Sequence, residues 1–164
     1  MKKIHFLLFL VTTTVFAQGR WAADFKSLIG QTYTNESGIK GLKSFRYEQG
    51  TVVGGAIEGQ FFSTIDVYRK GSTAIVLLSK KIKANSNEYR IIDVLKISSI
   101  PTNDEVRITD CSRKQAYPDE TIVTVVFSGP KRQVKLVKQA YALKDIRFEK
   151  IITKGIKCIN EGIE

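Results

Sequence analysis

Phe62-Ser63-Thr64-Ile65-Asp66-Val67-Tyr68-Arg69 runs into Lys70-Gly71-Ser72 and then into Thr73-Ala74-Ile75-Val76-Leu77-Leu78-Ser79-Lys80-Lys81-Ile82. The first segment is rich in β-branched and aromatic side chains, the tripeptide carries turn chemistry, and the apolar run resumes at once, so residues 62–82 read as a β-hairpin. Downstream, Asn85-Ser86-Asn87 supplies a second turn, and residues 89–97 form a further strand that stops at Pro101 and Asn103-Asp104. Val106 and Ile108 alternate with Arg107, Thr109 and Cys111, which places Arg107 and Cys111 on one strand face. Residues 121–127 are a continuous β-branched and aromatic run, the pattern of a central strand, closed by Ser128-Gly129-Pro130.

Residues 131–144 fit two templates. On a helical wheel Val134, Leu136, Val137, Ala140, Tyr141 and Leu143 fall opposite Lys131, Arg132, Lys135, Lys138 and Gln139, and Pro130 suits a first helical position. We expect a helix here. The alternative is a strand whose Val134, Leu136, Ala140 and Ala142 alternate and which turns at Lys144-Asp145 into residues 147–152. A short amphipathic helix is expected over residues 21–29, where Trp21, Phe25 and Leu28 form an apolar face and Gly30 follows as the stop. Residues 33–55 read as loops interrupted by short strands, and residues 160–164 as a frayed end. The fold class is therefore mainly β, a small antiparallel barrel or sandwich with one or two short helices.

The chain begins Met1-Lys2-Lys3, continues with an apolar stretch from Ile4 to Val11, and offers Val15-Phe16-Ala17 as a cleavage signal. An apolar run of about ten residues is roughly half the ~20 needed to cross a bilayer, so residues 1–17 read as a signal peptide rather than an anchor. Residues 18–164 then form one exported domain, periplasmic or secreted, with no transmembrane anchor after processing. Its removal has a chemical consequence. The chain's one histidine is His5, so the processed protein lacks the imidazole needed for a Ser-His-Asp or Cys-His site or a His-ligated zinc or iron centre. No cofactor is implied.

Cys111 and Cys158 are the two cysteines, and an even pair in an exported domain reads as one disulfide. Closing a loop of about 48 residues stabilises by on the order of 4 kcal/mol in the chain-entropy model. The glycine cluster Gly54-Gly55-Ala56-Ile57-Glu58-Gly59 matches neither phosphate-binding fingerprint and reads as a turn. Ser-x-x-Lys at Ser37-Lys40 and at Ser128-Lys131 is as frequent as chance gives in a chain with this many serines and lysines.

Charge is the strongest remaining feature. Lys and Arg number 26 against 16 Asp and Glu, a formal net charge of +10. The candidate basic binding surface comprises Lys80, Lys81 and Lys83 together with Lys131, Arg132, Lys135 and Lys138, with further lysines at 150, 154 and 157. In an exported location nucleic acid is a poor match. The expected partner is an anionic envelope component or a protein, bound without catalysis. The alternatives are a hydrolase using carboxylates such as Asp110, Asp119 and Glu120, a secreted enzyme inhibitor, and a small-molecule carrier. Protein recovered from its cells is expected to begin at Gln18; amino-terminal sequencing that finds Met1 retained refutes the leader.

Overall fold

The computed structural model describes residues 25–53, 62–113, 121–129 and 133–159. A two-residue strand β1 (Thr32–Tyr33) and a 3-10 turn (Glu36–Gly38) precede β2 (Arg46–Val53), β3 (Ser63–Lys70), β4 (Thr73–Lys81) and β5 (Tyr89–Ile97). These strands form one antiparallel sheet in the order β1-β5-β4-β3-β2. The hairpin expected over residues 62–82 is its centre: Lys70 pairs with Thr73 around Gly71, whose φ of +56° is a backbone state that glycine adopts without steric cost. The second sheet, ordered β10-β9-β8-β6, consists of β6 (Asp104–Ile108), β8 (Ile122–Ser128), β9 (Val134–Lys144) and β10 (Arg147–Ile151). A two-stranded ribbon pairs β7 (Cys111–Ser112) with β11 (Lys157–Cys158).

The long apolar runs are explained by burial on both faces. Ile65, Val67, Ala74, Val76 and Leu78 point between the sheets, where they meet Val106, Ile108, Val123, Val125 and Tyr141. The intervening Tyr68, Ile75 and Leu77 point outward, beneath Phe25, Leu28, Ile39 and Leu42 of the amino-terminal segment. The second sheet repeats the scheme: Ile122 and Val126 face away from the central core and are covered by Cys111 and Ile156. Period-2 alternation disappears from the hydrophobicity because both sides of the pleat are dry.

Residues 134–144 are strand, not the helix expected over 131–144; Lys131 and Arg132 lie outside the described residues. The pairing of β9 with β8 shifts register twice, between Val125 and Val126 and between Phe127 and Ser128. Each bulge inserts one residue into β9, so Val134, Val137 and Ala140 reach the same outer cluster at intervals of three. Two bulges thus imitate the spacing of an amphipathic helix. The helix expected over residues 21–29 is only partly observed: Phe25 and Lys26 are helical, residues 27–29 are turn, Gly30 at φ +88° follows, and residues 21–24, with Trp21, lie outside the described residues. Thr109, at φ +67°, separates β6 from β7, so Arg107 and Cys111 belong to different strands rather than to one.

The two sheets are joined at both lateral edges by side chains. Gln49 on β2 donates to the Val106 carbonyl at 2.5 Å, and the Phe148 amide on β10 donates to Asp93 Oδ2 on β5 at 2.8 Å. Arg69 ties the β3–β4 turn to the crossover, donating to the carbonyls of Asp104 at 2.7 Å and Pro101 at 3.1 Å. The Cys111–Cys158 disulfide, with an S–S distance of 2.05 Å, joins directly opposed residues of the ribbon and pins Ile156 over the second sheet. Replacing both cysteines by alanine is expected to lower stability by about 2–4 kcal/mol in urea denaturation. An unchanged midpoint would show that the tail is held by packing alone.

Candidate functional site

The structure distributes the predicted basic residues over two sheets. Lys80 and Lys81 end β4, and Lys83 lies in the β4–β5 turn, where its carbonyl accepts the Ser86 amide at 3.2 Å. Lys135 and Lys138 lie on β9. Lys138 is engaged: its ammonium sits 2.8 Å from Oδ2 and 2.9 Å from Oδ1 of Asp104, a carboxylate buried to 1% exposure, and 5.6 Å from the Phe127 ring centre. A buried carboxylate without its cation is strongly destabilising, so this lysine serves the core.

Lys135 stands differently. It lines a groove of about 600 Å3 together with Lys154 and Lys157 from the carboxy-terminal tail, over a floor that includes Val134, Val137 and Ile156. All three lysines are exposed, and among the described residues none is ion-paired and no carboxylate lines the groove. Gly129 contributes by being bare: a Cβ there would collide with the Lys135 side-chain carbons that lie over it. Leu136, at 54% exposure, is a large apolar side chain on the groove wall, and Ile152, at 76%, precedes the lining residue Thr153 in sequence. Large aliphatic side chains next to uncompensated cations are the composition of an interfacial surface, with apolar groups for the boundary of a bilayer and ammonium groups for its phosphates. Charge periodicity pointed to Lys135, but the exposure of Leu136 and Ile152 depends on which face each strand covers.

Carboxylates are the residues through which this chain would perform acid–base chemistry. Asp119 and Glu120 lie outside the described residues. Asp110 and Glu105 line one pocket of about 470 Å3, where Arg107 holds Glu105 at 3.3 Å. The deeper acidic group is Asp66, which sequence reading did not single out. It faces the outer side of the first sheet, opposite Leu77, and accepts hydrogen bonds on Oδ2 from the Tyr33 hydroxyl at 2.9 Å and Thr64 Oγ1 at 3.1 Å. Gly50, its cross-strand partner, leaves room for this: a Cβ there would collide with Asp66 Oδ1 and the Tyr47 hydroxyl. Tyr68 donates from the same face to the Glu36 carbonyl at 3.2 Å.

Burial pushes the Asp66 carboxyl above its ordinary range despite the donors from Tyr33 and Thr64. Burial, reinforced by the Asp66 charge, also raises the Tyr33 and Tyr68 phenols well beyond theirs. The network clamps β1 and the 3-10 turn onto the sheet, and its donors come from the chain itself. Ser37, of the first Ser-x-x-Lys match, spends its hydroxyl on Asn35 Oδ1 at 2.9 Å. Among the described residues no group of three or more His, Cys, Asp or Glu side chains is placed to hold a metal ion, and no helix is long and apolar enough to cross a membrane.

No family of proteins, no curated protein and no solved structure matches this chain.

The raised Asp66 pKa has a definite sign. The native state holds this proton to higher pH than the unfolded chain, so the contribution is complete below the ordinary value of 3.8 and is lost as pH rises through the native one. Asp66→Asn is expected to flatten the fall in stability as pH rises above 3.8, read as urea midpoints. An identical slope in the variant would remove Asp66 as its source.

Proposed function

We propose that this chain is an exported, non-enzymatic binding domain that contacts an anionic envelope component, a phosphate-bearing lipid surface, through the Lys135, Lys154 and Lys157 groove. The observation that carries the reading is the gathering in one groove of Lys135, Lys154 and Lys157, with no ion pair and no lining carboxylate among the described residues, beside the exposed Leu136. The internal disulfide fits an oxidising compartment, and the amino-terminal leader supplies the route to a periplasmic or secreted location. Exposed lysines act at short range in physiological salt, since screening operates over about 8 Å, so the contact is reversible and salt-sensitive.

Cosedimentation with phosphatidylglycerol vesicles and with phosphatidylcholine vesicles tests the reading. Binding is expected to the first, to fall as salt is raised, and to drop at least about tenfold in the triple variant Lys135→Gln, Lys154→Gln, Lys157→Gln. Leu136→Ser is expected to weaken binding without changing its salt dependence. Equal partition onto the two vesicle types, or a triple variant that binds as well as the parent, would sink the proposal.

A further inference from the structure

A second cationic site lies on the opposite sheet, beneath the segment that runs from Phe25 to Phe45, and it is built by strand parity. Tyr68 and Lys70 share one face of β3, as do Thr73 and Ile75 on β4, and Lys96 on β5 is the cross-strand partner of Ile75. This is the outer face, which Tyr68, Ile75, Leu77 and Ile91 make apolar and the amino-terminal segment covers. Lys70 and Lys96 therefore stand where the pattern of the face calls for apolar residues. At that end the described residues leave a pocket of about 650 Å3.

Its floor includes Phe25, Leu28 and Phe45, the two rings meeting edge to face at 5.7 Å and 85°. Lys40 and Ser44 complete the rim from the covering segment. Gly41 sets their position: at φ +96° the chain turns sharply, and a Cβ there would press on Leu28 at 3.3 Å. The lysines lie across the aromatic floor, Lys70 Nζ at 6.0 Å from the Phe45 ring centre and 3.1 Å from Ser44 Oγ, and Lys96 Nζ at 5.9 Å from the Phe25 ring centre. Among the described residues no acidic side chain lines the pocket and none of the three ammonium groups is ion-paired. Ring contacts of this length compensate a cation weakly, whereas a charge-assisted hydrogen bond to an oxyanion does so strongly.

We propose that this pocket binds a small amphipathic anion, its apolar body seated on Phe25, Leu28 and Phe45 and its phosphate or carboxylate head held by Lys40, Lys70 and Lys96. The volume falls within the range of about 300–1,000 Å3 typical of small-molecule sites, and the combination of apolar floor with few convergent polar groups is their usual composition. The site shares no residue with the Lys135 groove, so the two readings stand or fall separately.

Titration calorimetry with three probes separates the contributions. 1-Naphthyl phosphate carries body and head, 1-naphthol the body alone, and inorganic phosphate the head alone. The first is expected to bind at least about tenfold more tightly than either of the others, and Lys70→Gln with Lys96→Gln to cost it about tenfold or more. Binding of that double variant to phosphatidylglycerol vesicles is expected to stay at the parent level. In the unaltered protein, amide shifts on adding 1-naphthyl phosphate are expected at Ser44, Phe45, Thr73 and Lys96, a measurement that does not depend on any variant folding. Shifts confined to other residues, absence of binding, or inorganic phosphate binding as tightly as the naphthyl ester would overturn the proposal.

Discussion

A sheet has two faces, and in this chain the central strands present apolar side chains on both. Ile65 and Val67 point one way while Tyr68 points the other, and on β4 every residue from Ala74 to Ser79 is buried. Water must therefore be kept from three layers. The sheets cover each other's inner faces, the segment around Phe25, Leu28, Ile39 and Leu42 covers the outer face of the first, and Ile156 with the disulfide covers that of the second. Full burial of one such aliphatic side chain is worth about 1.5–3 kcal/mol, so leaving an outer face uncovered would cost an amount comparable to a small domain's whole net stability. The irregular ends of the chain are for this reason structural parts, and the disulfide acts by keeping the last of them in place.

The same layering sorts the charges. Carboxylates that fall inside are satisfied from within, Asp104 by Lys138 and Asp66 by the hydroxyls of Tyr33 and Thr64. Cations in excess of these needs collect where the covers end. Lys135 meets Lys154 and Lys157 at the margin of the carboxy-terminal tail, and Lys70 meets Lys40 and Lys96 at the margin of the amino-terminal cover. Both places combine an apolar floor with ammonium groups that no carboxylate neutralises among the described residues, so the two proposed sites are chemically similar but geometrically distinct. The first carries the exposed Leu136, whereas the second is floored by the rings of Phe25 and Phe45.

Local pattern revealed much of this. The hairpin at Gly71, the strand at 122–128 and the pairing of Cys111 with Cys158 each follow from signals carried by a few adjacent residues or by residue type alone. Residues 134–144 misled because bulges shift side-chain direction by one residue each, turning a period of two into an apparent period near three; nothing in β9 itself distinguishes that from a helix, since the bulges exist only in relation to β8. Asp66 passed unnoticed for a related reason. One acidic residue in a strand is ordinarily solvated, and its burial depends on Tyr33, far away in sequence, closing over it.

By itself the sequence determined the β-rich class, the positions of the tight turns, the excess of positive charge and the existence of a single possible cross-link, because propensity, turn chemistry and composition act over short range or over none. Tertiary structure alone decided which lysine neutralises a buried carboxylate, which face of each strand is covered, and where Leu136 and the two phenylalanines of the recessed pocket come to lie beside cations. Those outcomes depend on strand register and on which segment covers which sheet, and both are fixed by contacts between residues distant along the chain, where shifting a strand by a single residue exchanges one face for the other.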